Sequence, residues 1–584
     1  MKLSQLLQAS SIGVCVGIAT FGFQSCNEEE FLDVQPTGVL TQDVLGSRAG
    51  IEGLLVGGYA QLNGRGNRLG GSTNWVHGSI RGGDANKGTD PGDFGEINPA
   101  QRYELVSTDR IPADKWRGNF EGVSRANQII TVARASEDPS VTEEFRANAI
   151  AQAKVLRAHF YFNLQVNFNM VPYFDETVPP LEIPNLPNTV VWGDIERDLA
   201  EAIADLPETQ DAVGKVNRSA AQAYLGKVYL HQGNWAQART TLEEVIANGQ
   251  TSNGLPYALE PYYANVFNAE FDNGAESVWA MQAAANTGSV NNANPQFDLN
   301  FPHNTGPGGP GGCCGFFQPS FDLVSSFRTT DDGLPLLDGS YRDADNRVAD
   351  DMGIAADDES YTEDEGPLDP RLDHSVGRRG IPYLDWGDFP GSSWIRNQPN
   401  GGPFSPKKFV YYRAQEGTLS DGSSWTRGYT SMNYNIIRFA DVLLMAAEAH
   451  IEDAGGDRDR ALELVNIVRQ RAIDSPVFEA DGSTPAANYV VSLYDDFSDQ
   501  DFARDAVHFE RKLELSGEGH RFYDLLRWGV AEEFLDGYID YESMFLTATG
   551  TLTGADFRSG QDEYYPIPQT QLDLMPNMTQ NPGY

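Results

Sequence analysis

Between residues 143 and 168, Phe145, Ala149, Ala153, Leu156, Phe160 and Leu164 recur at spacings of three and four. That spacing sets them along one face of an α-helix, which must be buried against a neighbour. The same period recurs near 50–61, 117–134, 190–206, 218–248, 434–451, 458–472, 502–516 and 520–528. Between these blocks run 63–115, 250–435 and 535–584, rich in Gly, Asn and Pro and read as mostly loop, with short strand-like runs such as 277–282. The expected fold class is mainly α. A helical scaffold over about 40–250 and 430–530 carries a loop-rich part over about 63–115 and 250–435. Irregular stretches of such length are usually functional, so binding is expected there.

The block 218–248 also reads as a repeat. Leu225, Gly226, Tyr229, Gly233 and Ala238 stand where a tetratricopeptide unit has Leu, Gly, Tyr, a turn glycine and a small residue. Gly226 and Ala238 would let two helices approach closely. The pair 434–451 and 458–472, joined through Ala454, Gly455 and Gly456, looks like a degenerate copy. Such units usually scaffold or bind.

The chain opens with Lys2, an apolar run over 12–23, then Ser25, Cys26, Asn27 and the triplet Glu28, Glu29 and Glu30. The run is shorter than the roughly 20 apolar residues of a membrane-spanning helix, and the layout is that of a secretory signal. It resembles a bacterial lipobox, with Phe23 where Leu is usual. The triplet resembles the surface-export signal of Bacteroidetes lipoproteins. The expectation is a signal over 1–25 and a mature chain lipidated at Cys26. Each buried acyl methylene contributes about 0.8 kcal/mol to such an anchor. A formal charge of −41 argues against nucleic acid or anionic lipid as a partner. With Cys15 in the signal and Cys26 at the cleavage site, only Cys313 and Cys314 remain, so no cysteine metal site or disulfide framework is expected. The eight histidines show no HExxH spacing.

The C-terminal third carries "RFADVLLMAAEAH" (438–450), "HFERKLELSGEGHRFYDLLRWG" (508–529) and "YYPIPQTQLDLMPNMTQNPGY" (564–584). With "AQAKVLRAHFYFNLQVNFNMVPYF" (151–174) and "FLDVQPTG" (31–38), these resemble the motifs of the SusD/RagB family, in order, along essentially the whole mature chain. The resemblance implies a single SusD-like domain over 26–584, with a mostly α, tetratricopeptide-like fold. It implies a surface lipoprotein on the outer membrane, facing the exterior, that binds oligo- or polysaccharide. It also implies a partner, a TonB-dependent barrel of the SusC type. No catalytic residue, metal or cofactor is expected beyond the lipid on Cys26. Glu510, Arg511, Glu514, Glu518, Arg521 and Arg527 read better as ion pairs locking helices than as a catalytic carboxylate pair. A surface glycoside hydrolase and a protein-binding adaptor remain the competing readings.

Glycan recognition needs flat apolar surface for sugar C–H faces and polar groups for hydroxyls. Trp116, Trp192, Trp235, Trp279 and Trp528 fall in helical or strand-like runs and are expected in the core. Trp75, Trp386, Trp394 and Trp425 lie among Gly, Ser, Asn or Asp, as loop anchors or ligand contacts. In "HGSIRGGDANKGTDPGD" (77–93), Arg81, Asp84, Asn86 and Lys87 are candidate sugar contacts, placed by the family's region and not by a residue match. The alternative is turn chemistry. Asp84, Asp90 and Asp93 give a weak calcium candidate, without EF-hand spacing. In "GPGGPGGCCGFFQPS" (306–320), Cys313 and Cys314 are expected to form a vicinal disulfide, with Phe316 and Phe317 bordering a pocket. Arg371, Arg378 and Arg379 are expected to neutralise neighbours such as Asp369 and Asp373 more than to meet an anionic sugar. The suggested ligand is a neutral β-glucan of the laminarin kind.

Overall fold

The structure is a computed structural model that describes residues 42–584. The expected lipidation site Cys26, the triplet 28–30 and the segment 31–38 lie outside the described residues. Helix α1 (Arg48–Ala60) begins at Ser47, whose side chain accepts from Gly50 N. Helices α2 (Arg110–Ala135) and α3 (Glu143–Phe168) follow. Thr142 caps α3 by accepting from Phe145 N at 3.2 Å, and Glu143 and Glu144 in the first turn suit the helix dipole. The spacing in this segment predicts one apolar face. Instead α3 is buried on every side from Ala151 onward. Its charged positions are satisfied internally: Arg157 holds Asp198 at 2.7 Å and Glu176 at 2.5 Å.

Helices α4 (Trp192–Asp205), α5 (Arg218–His231), α6 (Trp235–Asn248), α7 (Phe439–Glu452) and α8 (Arg458–Ile473) continue the stack, each packed on the one before. The repeat reading of α5 and α6 agrees with their packing. A Cβ on Gly226 would lie 2.6 Å from the Leu242 side chain, so any larger residue would force that buried leucine to move. Gly233 takes φ +70° in the turn between them. The second expected pair packs directly on the first, α7 against α6.

Two expectations need correction. Residues 434–438 are not helix. They form strand β4 (Tyr434–Arg438), antiparallel to β2 (Ser277–Met281), where Trp279 faces Ile437. A partner strand and the branched pair Ile436–Ile437 outweigh the helical period there. The tail from 535 is also less irregular than expected. Beyond α9 (Gln500–Glu514) and α10 (Arg521–Trp528), helix α11 (Ala531–Ser543) buries Leu535, Tyr538, Ile539 and Glu542, a run of helical spacing partly masked by acidic residues and Gly537.

The charges of the C-terminal motifs are internal. Glu510, Glu514 and Glu518 are buried, and Arg371 reaches Glu510 at 2.5 Å and Glu514 at 3.0 Å. Arg438 binds Glu514 at 2.6 Å, Glu518 at 2.8 Å and Glu276 at 2.9 Å. Arg511 joins Asp441 and Asp524, and Arg527 pairs with Glu448 and Asp524. Burial pushes the Glu514 carboxyl up, but Arg471, Arg438 and Arg371 hold it well below the ordinary range. This network ties α9 to the loop-rich part through Arg371 and Glu276. Arg378 likewise pairs with Asp373 at 2.6 Å, whereas Arg379 donates to the carbonyls of Ala355, Ala356 and Asp358.

Candidate functional site

The two loops singled out in sequence meet as a short sheet. Strand β1 (Ala85–Gly88) pairs with β3 (Phe316–Pro319), setting Asn86 opposite Gln318 and Gly88 opposite Phe316. Beside this sheet opens a cleft of about 670 Å³, within the roughly 300–1,000 Å³ of ordinary ligand sites. Leu299, Phe94, Phe316, Cys313 and Cys314 supply apolar lining, and Arg68, Asp93, Arg110, His303 and Arg396 supply polar groups. Trp425 stands at its edge, 56 % exposed.

Each cationic group in the cleft is already paired. Arg68 donates to Asp298 from Nε at 2.6 Å and from Nη2 at 2.5 Å, and this carboxylate raises the Arg68 pKa further. The same guanidinium lies 5.7 Å from the Trp425 ring. Trp425 Nε1 donates to Tyr429 Oη at 2.8 Å, which fixes the ring edge and leaves a face open. Arg396 bridges Asp90, at 2.6 Å, and Asp93. Arg110 pairs with Asp114 at 2.9 Å. Partial burial and the Arg396 charge lower the His303 pKa, so its imidazole is neutral at pH 7. The arrangement offers N–H groups held in fixed directions beside apolar surface, with little net positive charge.

Cys313 and Cys314 are joined as a vicinal disulfide. Their glycine-rich loop is held from outside. Arg427 donates to Gly306 O at 2.5 Å and Gly309 O at 3.0 Å, Gly311 N donates to Tyr411 Oη at 3.0 Å, and Thr426 Oγ1 donates to Gly311 O at 3.2 Å. Phe316 reaches the cleft although it is almost wholly buried, and packs edge-on to Phe94.

The other candidates do not gather here. Trp75 is buried, donating from Nε1 to Arg68 O and packing edge-on to Phe317, itself buried behind the cleft. Trp386 and Trp394 belong to a satellite core with Phe301, Tyr383, Phe389, Val410 and Tyr411, and Trp386 Nε1 donates to Tyr411 O. In the 77–93 loop Asp93 lines the cleft, but Arg81, Asp84, Asn86 and Lys87 are buried. Arg81 is sandwiched 3.9 Å from the Phe522 ring and 4.4 Å from that of Tyr565. Asp84 accepts from Gly517 N, and burial pushes its pKa up to about 6. Asn86 donates to Glu542 at 3.0 Å. Lys87 Nζ donates to the carbonyls of Asp90, Pro91 and Asp93, and burial lowers its pKa to about 8. Arg81, Asp84 and Asn86 thus hold the loop to the scaffold, and Lys87 holds the loop to itself. Asp84 is engaged by Gly517 N, whereas Asp90 and Asp93 are engaged by Arg396. Among the described residues no cluster of His, Cys, Asp or Glu has the makings of a metal site.

The family model described as "SusD family" matches residues 275–584, more than half of the chain. The chain belongs to the SusD/RagB family. A second SusD-like model, described as "Starch-binding associating with outer membrane", matches residues 30–230. SusD-like protein P2 of Formosa agariphila is 25% identical over 511 residues, 85% of each chain. A solved structure described as a laminarin-binding SusD-like protein shares the fold with a TM-score of 0.64 at 24% identity, covering 92% of this chain and 100% of the other. A structure solved with a xylogluco-oligosaccharide matches with a TM-score of 0.62 at 19% identity, covering 90% and 97%.

In this SusD-family chain, reasoning from sequence overlooked Arg68, Asp298, Tyr429, His303, Arg110 and Arg396. The readable signal for Arg68 and Arg396 was a cation set among Gly, Asn and Ser in a strongly acidic chain. Their partners are far away in sequence, Asp298 lying 230 residues from Arg68.

Proposed function

We propose that this protein is a cell-surface glycan-binding lipoprotein that captures oligo- or polysaccharide in the Cys313–Cys314 cleft and delivers it to a SusC-like TonB-dependent transporter. Lipid on Cys26 anchors it to the outer membrane, facing outward. The observation that carries the reading is Trp425, an open aromatic face at the edge of a cleft with oriented N–H donors. Sugars are bound through that combination of a C–H stacking surface and fixed polar groups. A neutral glycan, of the laminarin type, fits better than an anionic one. Arg68, Arg110 and Arg396 already have carboxylate partners, and a chain of −41 repels polyanions. The relative described as laminarin-binding shares the fold and supports this choice. A hydrolase built on Glu510 and Glu514 is disfavoured, since both carboxylates are buried among arginines.

Calorimetry and native affinity electrophoresis test the reading across laminarin, xyloglucan, mannan and alginate. Binding to a neutral glucan, weakened by Trp425→Ala, is the expected result. Unretarded migration in every polysaccharide would refute it, and reducing ends released on incubation would favour the hydrolase. Transfer is checked by co-purification with the transporter from outer membranes, lost on Cys26→Ala if the lipid anchor is needed.

A further inference from the structure

We propose that the Cys313–Cys314 disulfide is itself a glycan-contacting surface, taking a C–H face of a neutral pyranose in the cleft. The inference rests on the glycan-binding reading and names the chemistry of one wall of that site. A disulfide between chain neighbours closes almost no loop. The unfolded-state entropy that makes ordinary disulfides stabilising is therefore nearly absent here. Nor is the bond needed to hold its loop, which Arg427, Tyr411 and Thr426 fix through hydrogen bonds to Gly306, Gly309 and Gly311. What oxidation does change is the surface. Two thiols, each a weak donor, become a pair of polarizable sulfurs without a hydrogen to donate. That pair lines the cleft, Cys313 half-buried and Cys314 buried, continuous with Phe316 and Leu299.

Such a wall selects by stereochemistry. It offers no good partner to a hydroxyl, so a ring lying on it must present C–H bonds. A gluco-configured ring, with its hydroxyls equatorial, presents C–H faces on both sides. An axial hydroxyl turned toward the sulfurs would lose water and gain nothing. The site therefore prefers gluco-configured over manno-configured oligosaccharides of equal length.

The test uses the full chain in detergent and a β-1,3-glucan hexasaccharide as probe, by calorimetry, with a mannan hexasaccharide for comparison. A trialkylphosphine reduces the disulfide to two thiols, leaving as its oxide with oxygen from water, and thiol alkylation followed by mass measurement confirms the state. Reduction, and separately the double substitution Cys313→Ser with Cys314→Ser, is expected to weaken glucan binding at least fivefold. The melting temperature should move by less than about 3 °C, since a bond between chain neighbours closes almost no loop and contributes little stability. Arg427→Gln, which loosens the loop but keeps the disulfide, should weaken binding less. Reduced protein that binds within twofold of oxidised protein, while Trp425→Ala binds poorly, overturns this inference and leaves the glycan-binding reading standing. Equal losses in Arg427→Gln and the double serine variant also overturn it, because loop order and not the sulfur surface would then carry the effect. Failure of the oxidised chain to bind any glycan removes both.

Discussion

Truncating Trp425 separates binding from folding better than any other change in the loop-rich part. The residue is 56 % exposed, with its indole held by one hydrogen bond to Tyr429 and one face near Arg68. A tryptophan can bury up to about 250 Å², so on the order of 140 Å² is open here. A pyranose covering about half of that removes roughly 70 Å² from water, worth about 1.8 kcal/mol at about 25 cal/mol per Å². Trp425→Ala should therefore weaken a neutral glucan by about twentyfold in Kd. Little stability should be lost, because the ring fills no core cavity. Isothermal calorimetry with the β-1,3-glucan hexasaccharide measures the first quantity and differential scanning calorimetry the second. A Kd within twofold of the unsubstituted protein would refute the stacking argument. A loss of binding that accompanies a large drop in melting temperature would also refute it, by showing that Trp425 supports the fold.

Trp386→Ala should behave oppositely, costing roughly 3–5 kcal/mol of stability, read by denaturant unfolding, because its ring is packed in the satellite core; an unchanged midpoint would count against that packing. Glu514→Gln leaves Arg371, Arg438 and Arg471 without a shared carboxylate and should destabilise by roughly 3–5 kcal/mol; a shift in melting temperature of less than a degree would mean that the network relaxes freely. Asp272 accepts from Asn433 N, and burial pushes its pKa up to about 7. Since the folded value lies above the unfolded one, its contribution is fully present below the ordinary carboxyl range and is lost as pH rises through about 7, by roughly 1.4 kcal/mol for each pH unit between. Asp272→Asn should thus gain stability relative to the unsubstituted protein between pH 5 and pH 8, and an equal difference at both values would contradict this.

The helical scaffold was legible because its information is local. A face repeating every three or four residues marks α1 to α10, and the glycines at 226 and 233 mark the close approach and the turn of one repeat. Where the signal was not local, the reading slipped. Strand β4 carries a run continuous with α7, and its pairing with β2, more than 150 residues earlier, together with the branched pair Ile436–Ile437 makes it extended. Of the buried charges, Glu510, Arg511, Glu514, Glu518 and Arg527 were readable as ion pairs, whereas Arg521 has no carboxylate partner among the described residues and lies over the Trp528 and Phe534 rings. Arg371 was readable as the partner of Asp369, which it holds at 2.7 Å, but its reach to Glu510 and Glu514 and the part played by Glu276 were not, because nothing local distinguishes an arginine that enters the core from one that stays in water.

The site shows the same limit more sharply. The tetrapeptide Gly-Ser-Ser-Trp occurs twice, at 391–394 and 422–425, and both copies are followed by one residue and then an arginine. By composition and neighbours the two tryptophans are equivalent. In the fold they are not: Trp394 packs edge-on to Tyr383 and Phe389, whereas Trp425 has Arg68 near its face and Tyr429 at its edge. The arginines diverge in parallel. Arg396 turns to the carboxylates of Asp90 and Asp93 and lines the cleft, while Arg427 binds the carbonyls of Gly306 and Gly309 and holds the loop bearing the disulfide. A loop aromatic stays open when the scaffold leaves it without apolar neighbours, and those neighbours come from distant segments. Exchanging environments tests this directly. Removing Phe389 by Phe389→Ala should open the satellite core beside Trp394 without creating a second glycan site, because Tyr383 still packs edge-on to that ring. An added binding stoichiometry in that variant would show that an exposed indole alone suffices.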